Sequence, residues 1–174
     1  FAIGQDWYAR AWELACDLDS ANPYRAAGVI AAMSPLQSWG VNAKCARDIY
    51  AGKPWGLSAN VAKAQLILAG NEPLDVLKGA KVRSFYANIV GMRGSIVTVD
   101  RHAVDAAYRR VMTNEERQRA VQGKKYTHIV DMYTRATDIF NRENCTNYSP
   151  ADIQAIAWVA WRQTYATKSH SAVA

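Results

Sequence analysis

Apolar and polar positions recur at helical spacing along almost the whole chain, and the strict alternation of a half-buried strand is nearly absent. Residues 5 to 18 place Trp7, Tyr8, Ala11, Trp12, Leu14 and Ala15 on one broad face, which predicts an amphipathic helix. Asn22 and Pro23 read as a cap followed by a first-turn proline. The helix they open, through Ala32, is apolar on nearly all sides and is therefore expected at the centre of the fold. Ser34, Pro35 and Ser38 break the link from Met33 to Trp39, which exposes Gln37 and Trp39 between two helices. Helical spacing resumes over Asn42 to Tyr50 and stops at Gly52, Lys53 and Pro54; Ser58 then caps a helix that ends at Gly70, and Glu72 to Leu77 makes about one turn.

After Gly91 comes MRGSIVTV, a short loop with an extended apolar tail. Its β-branched residues suit a strand, but nothing else in the chain offers a pairing partner, so a buried connector is expected. Thr113 with Glu116 makes a capping-box pattern, as does Ser149 with Asp152, where Pro150 also fits the first helical position. Tyr126 to Phe140 is amphipathic. The last helix, Pro150 to about Tyr165, carries Ile153, Ile156, Ala157, Ala160 and Trp161 as its expected core-facing stripe, and the residues from Ala166 on read as a frayed tail. The chain shows no internal repeat and no low-complexity linker.

With 174 residues, half of them hydrophobic, the chain is long enough to bury one core. Its 21 Lys and Arg against 15 Asp and Glu give a net charge of +6, which suits a polyanionic partner without demanding one. Cys16, Cys45 and Cys145 are far apart and odd in number, the pattern of structural thiols in a reducing compartment. No apolar run is long enough to span a membrane and no signal-peptide pattern opens the chain, so a cytoplasmic location is expected; because the chain starts at Phe1 rather than Met, this says nothing of any segment before it.

The stretch from Leu77 to Arg110, LKGAKVRSFYANIVGMRGSIVTVDRHAVDAAYRR, is where chemistry is expected. Leu77 to Lys81 is a Gly-centred turn opening a helix, and Asp100 starts the next one after an apolar run. Helix N-termini carry unpaired N–H groups and partial positive charge, so the turn suits a phosphate while Asp100 caps its own helix. Capping alone accounts for most aspartates at such positions.

LKGAKVRSF followed by VTVDRHAVDAAYR resembles the hairpin and catalytic-aspartate segments of the helix-hairpin-helix DNA glycosylases, the endonuclease III-like superfamily. The family's Leu-Pro-Gly-Val-Gly hairpin falls on Leu77, Lys78, Gly79, Ala80 and Lys81, and its Val-Asp-x-His element on Val99, Asp100, Arg101 and His102. MSPLQSWGVNAKCARDIY is similar to the helix and loop that insert into DNA, and GLSANVAKAQLI to the segment before the hairpin; the likeness covers about residues 24 to 110. It implies Asp100 as the catalytic carboxylate, His102 in support, Lys78, Gly79, Lys81 and Arg83 at DNA phosphate, and Gln37 and Trp39 as DNA-inserting or base-pocket residues. A histidine in a first helical turn is also an ordinary structural group, a tryptophan an ordinary core residue, and clustered lysines an ordinary solvated surface.

Two departures qualify the likeness. Lys81 replaces the second hairpin glycine, and Arg83 stands where bifunctional members place a lysine nucleophile. A guanidinium keeps its proton and does not attack a sugar carbon, so Schiff-base strand cleavage is not expected. Nor can Cys145 alone form the four-cysteine iron–sulfur cluster of some relatives.

The resemblance implies an all-α, two-lobed domain. Residues 24 to 110 would form the central lobe and residues 1 to 20 with 112 to 166 the second, followed by a tail at 167 to 174, with Asp100 facing the cleft. The implied activity is that of a monofunctional DNA glycosylase that flips a base and hydrolyses its N-glycosidic bond, as a monomer on double-stranded DNA, with no metal or organic cofactor. A DNA-binding protein that keeps the fold without catalysis, and a basic helical protein that binds another protein, are the competing expectations.

Overall fold

The computed structural model describes residues 6–92 and 96–170, the last five of these as helical backbone only. Every regular element among them is helical: α1 (Trp7–Leu18), α2 (Pro23–Met33), α3 (Trp39–Tyr50), α4 (Ser58–Leu68), α5 (Pro73–Val76), α6 (Ala80–Ile89), α7 (Arg101–Tyr108), α8 (Asn114–Ala120), α9 (Gly123–Asn144) and α10 (Pro150–His170). None of these helices is long and apolar enough to cross a membrane. The chain divides into two compact units, Tyr8–Met92, and Arg93–Ala174 together with Phe1–Trp7. The hairpin and Asp100, grouped in one lobe by the sequence reading, fall in different units, and α1 from Tyr8 onward belongs with the hairpin.

In the unit Tyr8–Met92, α2 is the centre. The Asn22 side chain accepts from the Arg25 N–H at 3.0 Å and Pro23 opens the first turn. Ala26 to Met33 are then all buried, against α3, α4, α5 and α6. Small side chains make that close packing possible. At Gly28 a Cβ would lie 2.7 Å from Pro73 Cγ and 3.2 Å from Ile67 Cγ2, so α4 and α5 approach the α2 backbone directly. The Asn88 amide of α6 donates to the Tyr8 hydroxyl of α1 at 3.3 Å, and the Tyr8 ring tilts on Phe85 with centroids 6.4 Å apart. Two helix starts differ from expectation. Ser38, not a residue near Asn42, caps α3, so Trp39 is its first helical residue. Leu57 occupies the cap position of α4, and Ser58, expected there, makes no capping bond.

In the second unit, residues 96–100 belong to no helix and no strand. Their buried backbone groups need other partners, and Tyr126 supplies them. Its hydroxyl donates to the Val97 carbonyl at 2.8 Å and accepts from the Val99 N–H at 3.2 Å. Val97 and Val99 thereby join Ala103, Val104, Met112, Ala120, Ile129 and Tyr133 in one apolar cluster. The buried connector is as expected, except that Arg93 to Ser95 lie outside the described residues.

The start of α7 is fastened by Tyr133, whose hydroxyl donates to the Ala103 carbonyl at 2.9 Å. Its far half carries Asp105, 1% exposed, which accepts from Arg117 Nη2 at 2.5 Å, Arg117 Nε at 3.0 Å and the Met112 N–H at 3.0 Å. Both predicted capping boxes form, at Thr113–Glu116 and Ser149–Asp152. The last helix departs from the reading. It runs to His170, past the expected end near Tyr165, while 171–174 lie outside the described residues. Among its described side chains Gln154 and Ala155 are the buried ones, Ala157 of the expected stripe packs against the apolar cluster, and Ala160 is exposed.

Candidate functional site

The hairpin is built on Leu77, fully buried, whose N–H donates to the Pro73 carbonyl at 2.8 Å and closes the single turn of α5. The chain then passes through exposed Lys78 to Gly79, which caps α6 with φ 90° and ψ 138°. A side chain there would find open space but a backbone that L-residues rarely adopt, so the turn depends on glycine. With no capping side chain, the first N–H groups of α6 remain open toward an acceptor from outside. Lys78 and half-buried Lys81 flank that opening along the chain. Arg83 is used differently from expectation. Its Nη1 donates to the carbonyls of Leu74 and of Leu77, the latter at 3.2 Å, and so ties α6 back onto the end of α5. The guanidinium braces the turn in which Lys81 replaces the second glycine.

Asp100, in the second unit, is half-buried and extended, with φ −102° and ψ −177°. Its Oδ1 accepts from the N–H groups of His102 at 2.9 Å and Ala103 at 2.8 Å, and its Oδ2 accepts from the indole N–H of Trp158 at 3.1 Å. An ordinary cap uses one carboxylate oxygen; here α10 holds the other as well. Hydrogen bonds to a charged acceptor are worth about 1.5–3 kcal/mol each, so three of them fix the orientation of the group. All three donors are neutral, and among the described residues no cation pairs with Asp100. Asp19, Asp48, Asp105, Glu115 and Glu116 each face an arginine or a lysine, whereas Asp100 shares the lack of a cation with Asp152 and the other exposed carboxylates and differs in being held by a donor from another helix. Asp100 thus presents a fixed negative charge that nothing described in the protein has neutralised.

Trp158 organises the surroundings. Its ring meets His102 edge-on with centroids 6.2 Å apart, and Trp7, in the same unit, also at 6.2 Å. The guanidinium of Arg162, one turn further along α10, lies 4.7 Å from its centroid. Burial pushes the His102 imidazole below its usual pKa; the Asp100 carboxylate opposes this, and Arg101 and Arg162 add to it. His102 is therefore a neutral neighbour of the carboxylate at physiological pH, not a counter-ion to it.

The loop expected to insert into DNA presents a residue that the sequence reading passed over. Leu36 is 81% exposed and adopts φ 63°, while Gln37 and Trp39 are both half-buried. Holding a leucine in the left-handed region costs about 1–2 kcal/mol, and that cost keeps an apolar side chain in solvent. The signal was an apolar residue between turn formers, Pro35 and Ser38. Trp158 and Arg162 carried no comparable signal, since 58 residues separate Trp158 from the aspartate it holds.

Over residues 1–165 the chain matches the family described as Family of unknown function (DUF7178). No curated protein and no solved structure matches it.

Proposed function

The chain belongs to the DUF7178 family, and we propose that it is a monofunctional DNA N-glycosylase of helix-hairpin-helix type, with Asp100 as the catalytic carboxylate. The observation that carries the reading is the Asp100 carboxylate itself, half-buried, oriented by three neutral donors and left without a counter-ion among the described residues. Departure of a base from deoxyribose leaves positive charge on C1′ and O4′. A preoriented anion beside that charge lowers the barrier, because it needs no reorganisation as the bond breaks. Water then adds at C1′, its proton passing to the carboxylate or to the departing base, and an intact abasic site results.

The remaining features take subordinate roles. The open N–H groups of α6, with Lys78 and Lys81, suit a DNA phosphate, and Arg83 keeps that turn in shape. Leu36 takes the inserting role expected of Gln37 and Trp39, since an exposed leucine is the kind of wedge that parts stacked bases, and an extruded base must leave its stack. No metal or organic cofactor has a role in this scheme, and no amine is placed to form a Schiff base at Arg83.

The direct test is mass spectrometry of bases released from DNAs of varied composition, modified bases included, with borohydride trapping run in parallel. Release of a free base with intact abasic sites and no trapped complex supports the proposal. Salt-sensitive DNA binding without release of any base would point instead to the non-catalytic DNA-binding reading, and a borohydride-stable complex would contradict the monofunctional assignment.

A further inference from the structure

A nucleotide in DNA brings two opposite charges to an enzyme that removes its base. The phosphodiester is anionic, and the sugar, a few bonds away, becomes cationic as the base leaves. Around Trp158 the protein holds the opposite pair of charges. The indole N–H binds Oδ2 of Asp100 at 3.1 Å, and the face of the same ring carries the Arg162 guanidinium at 4.7 Å.

A stacked arginine one helical turn from a tryptophan is common on its own. Its neighbourhood here is what sets it apart. Among the described residues Arg162 makes no ion pair and no hydrogen bond, although an unneutralised carboxylate is bound to the ring beneath it. Stacking settles the plane of the guanidinium and leaves its five N–H donors for an external acceptor. Arg162 is exposed, so that acceptor reaches it without rearrangement. The field of Arg162 is also felt at His102, where it helps keep the imidazole neutral.

We infer that Arg162, stacked on Trp158, is a phosphate-binding residue for the nucleotide whose sugar Asp100 faces. Its ligand is one backbone phosphate adjoining the extruded nucleotide, held by the planar guanidinium while the indole links that contact to the carboxylate. The inference rests on the proposed function for the identity of the sugar, and on the geometry of Trp158 for the pairing of the two charges.

The experiment uses a duplex with one tetrahydrofuran abasic analogue, which needs no knowledge of the cognate base. Each phosphate flanking the analogue is replaced in turn by a neutral methylphosphonate, and binding of wild type, Arg162→Ala and Arg162→Lys is measured at low salt. One methylphosphonate position should weaken wild-type binding about tenfold, as expected for a lost charge-assisted contact. Arg162→Ala should weaken the unmodified duplex by a similar factor and lose sensitivity at that position alone. Arg162→Lys keeps the charge without the planar fork, so it should retain the salt dependence of wild type but not the full positional effect. The inference is overturned if Arg162→Ala keeps the wild-type methylphosphonate profile, whether or not its overall affinity drops, or if the wild-type protein does not bind the duplex. Binding with the expected profile but without base release from any DNA would leave Arg162 as a phosphate contact and remove only the glycosylase reading.

Discussion

At Asp100 two residues the sequence reading had not linked to it by position, Ala103 and Trp158, complete the coordination of one side chain, and His102 contributes through its backbone N–H as well as its ring. The imidazole offers an independent check on this neighbourhood. Burial lowers its pKa below the usual 6.5. Between the lowered value and 6.5 the unfolded chain therefore binds more protons than the folded one, so stability is unaffected above about pH 6.5 and falls as pH drops through that window. Thermal melting followed from about pH 7.5 to pH 5 should show a decline that His102→Gln reduces, since glutamine does not titrate. Equal slopes for the two proteins would mean that His102 is solvated in the folded state. That Asp100 begins a helix was legible, because a short polar side chain ahead of a helical pattern is a local signal. Its indole partner was not, because a contact across 58 residues leaves no trace in spacing. Leu36 was missed for another reason: the preference for polar residues in loops drew attention to Gln37, although the backbone turns Leu36 outward.

Among the elements, α2 and the hairpin show what patterning reveals. The all-round apolar character of α2 marked it as a central helix, which it is within the unit Tyr8–Met92, and Gly28 shows how tightly it is enclosed there. Gly28→Ala should destabilise the protein by about 1–3 kcal/mol, because a proline ring 2.7 Å from the new Cβ cannot rotate away. Gly40→Ala, where nothing lies within 4 Å, is the control, and should be neutral or stabilising by up to about 1 kcal/mol. Chemical denaturation of the two variants decides the matter; equal stabilities would mean that α5 does not rest on α2. Caps with a side-chain signal were readable, as at Asn22, Thr113 and Ser149. The face of α10 was not, since residues 151 to 161 are apolar nearly all round and helical period then selects no side. What selects it is the burial of Gln154 and Ala155 together with the hydrogen bond from Trp158 to Asp100.

For the molecule as a whole, the net charge of +6 permits many partners, and the proposed function assigns the hairpin to a DNA phosphate. Duplex binding should weaken steeply with salt, and replacing Lys78 and Lys81 together by alanine should reduce the slope of log K against log salt by roughly 2, one for each lost phosphate contact. An unchanged slope would remove the hairpin from the DNA-binding surface. The division into two units at Met92–Arg93 was not legible, because no composition shift marks it. Residues 96–99 look like a strand by residue type, and Tyr126, 27 residues beyond Val99, helps hold them without one.

The central claim is that Asp100 works as a charge and not only as a helix cap. Asp100→Asn keeps the size and capping ability of the side chain and removes its charge. Single-turnover base release by wild type and variant on the best substrate, with thermal melting alongside, separates the two roles. The variant should melt close to wild type, bind DNA at least as tightly, and release base at least about a hundredfold more slowly, the effect of losing roughly 3 kcal/mol of transition-state stabilisation. A variant that melts like wild type and releases base at a similar rate would reduce Asp100 to a cap.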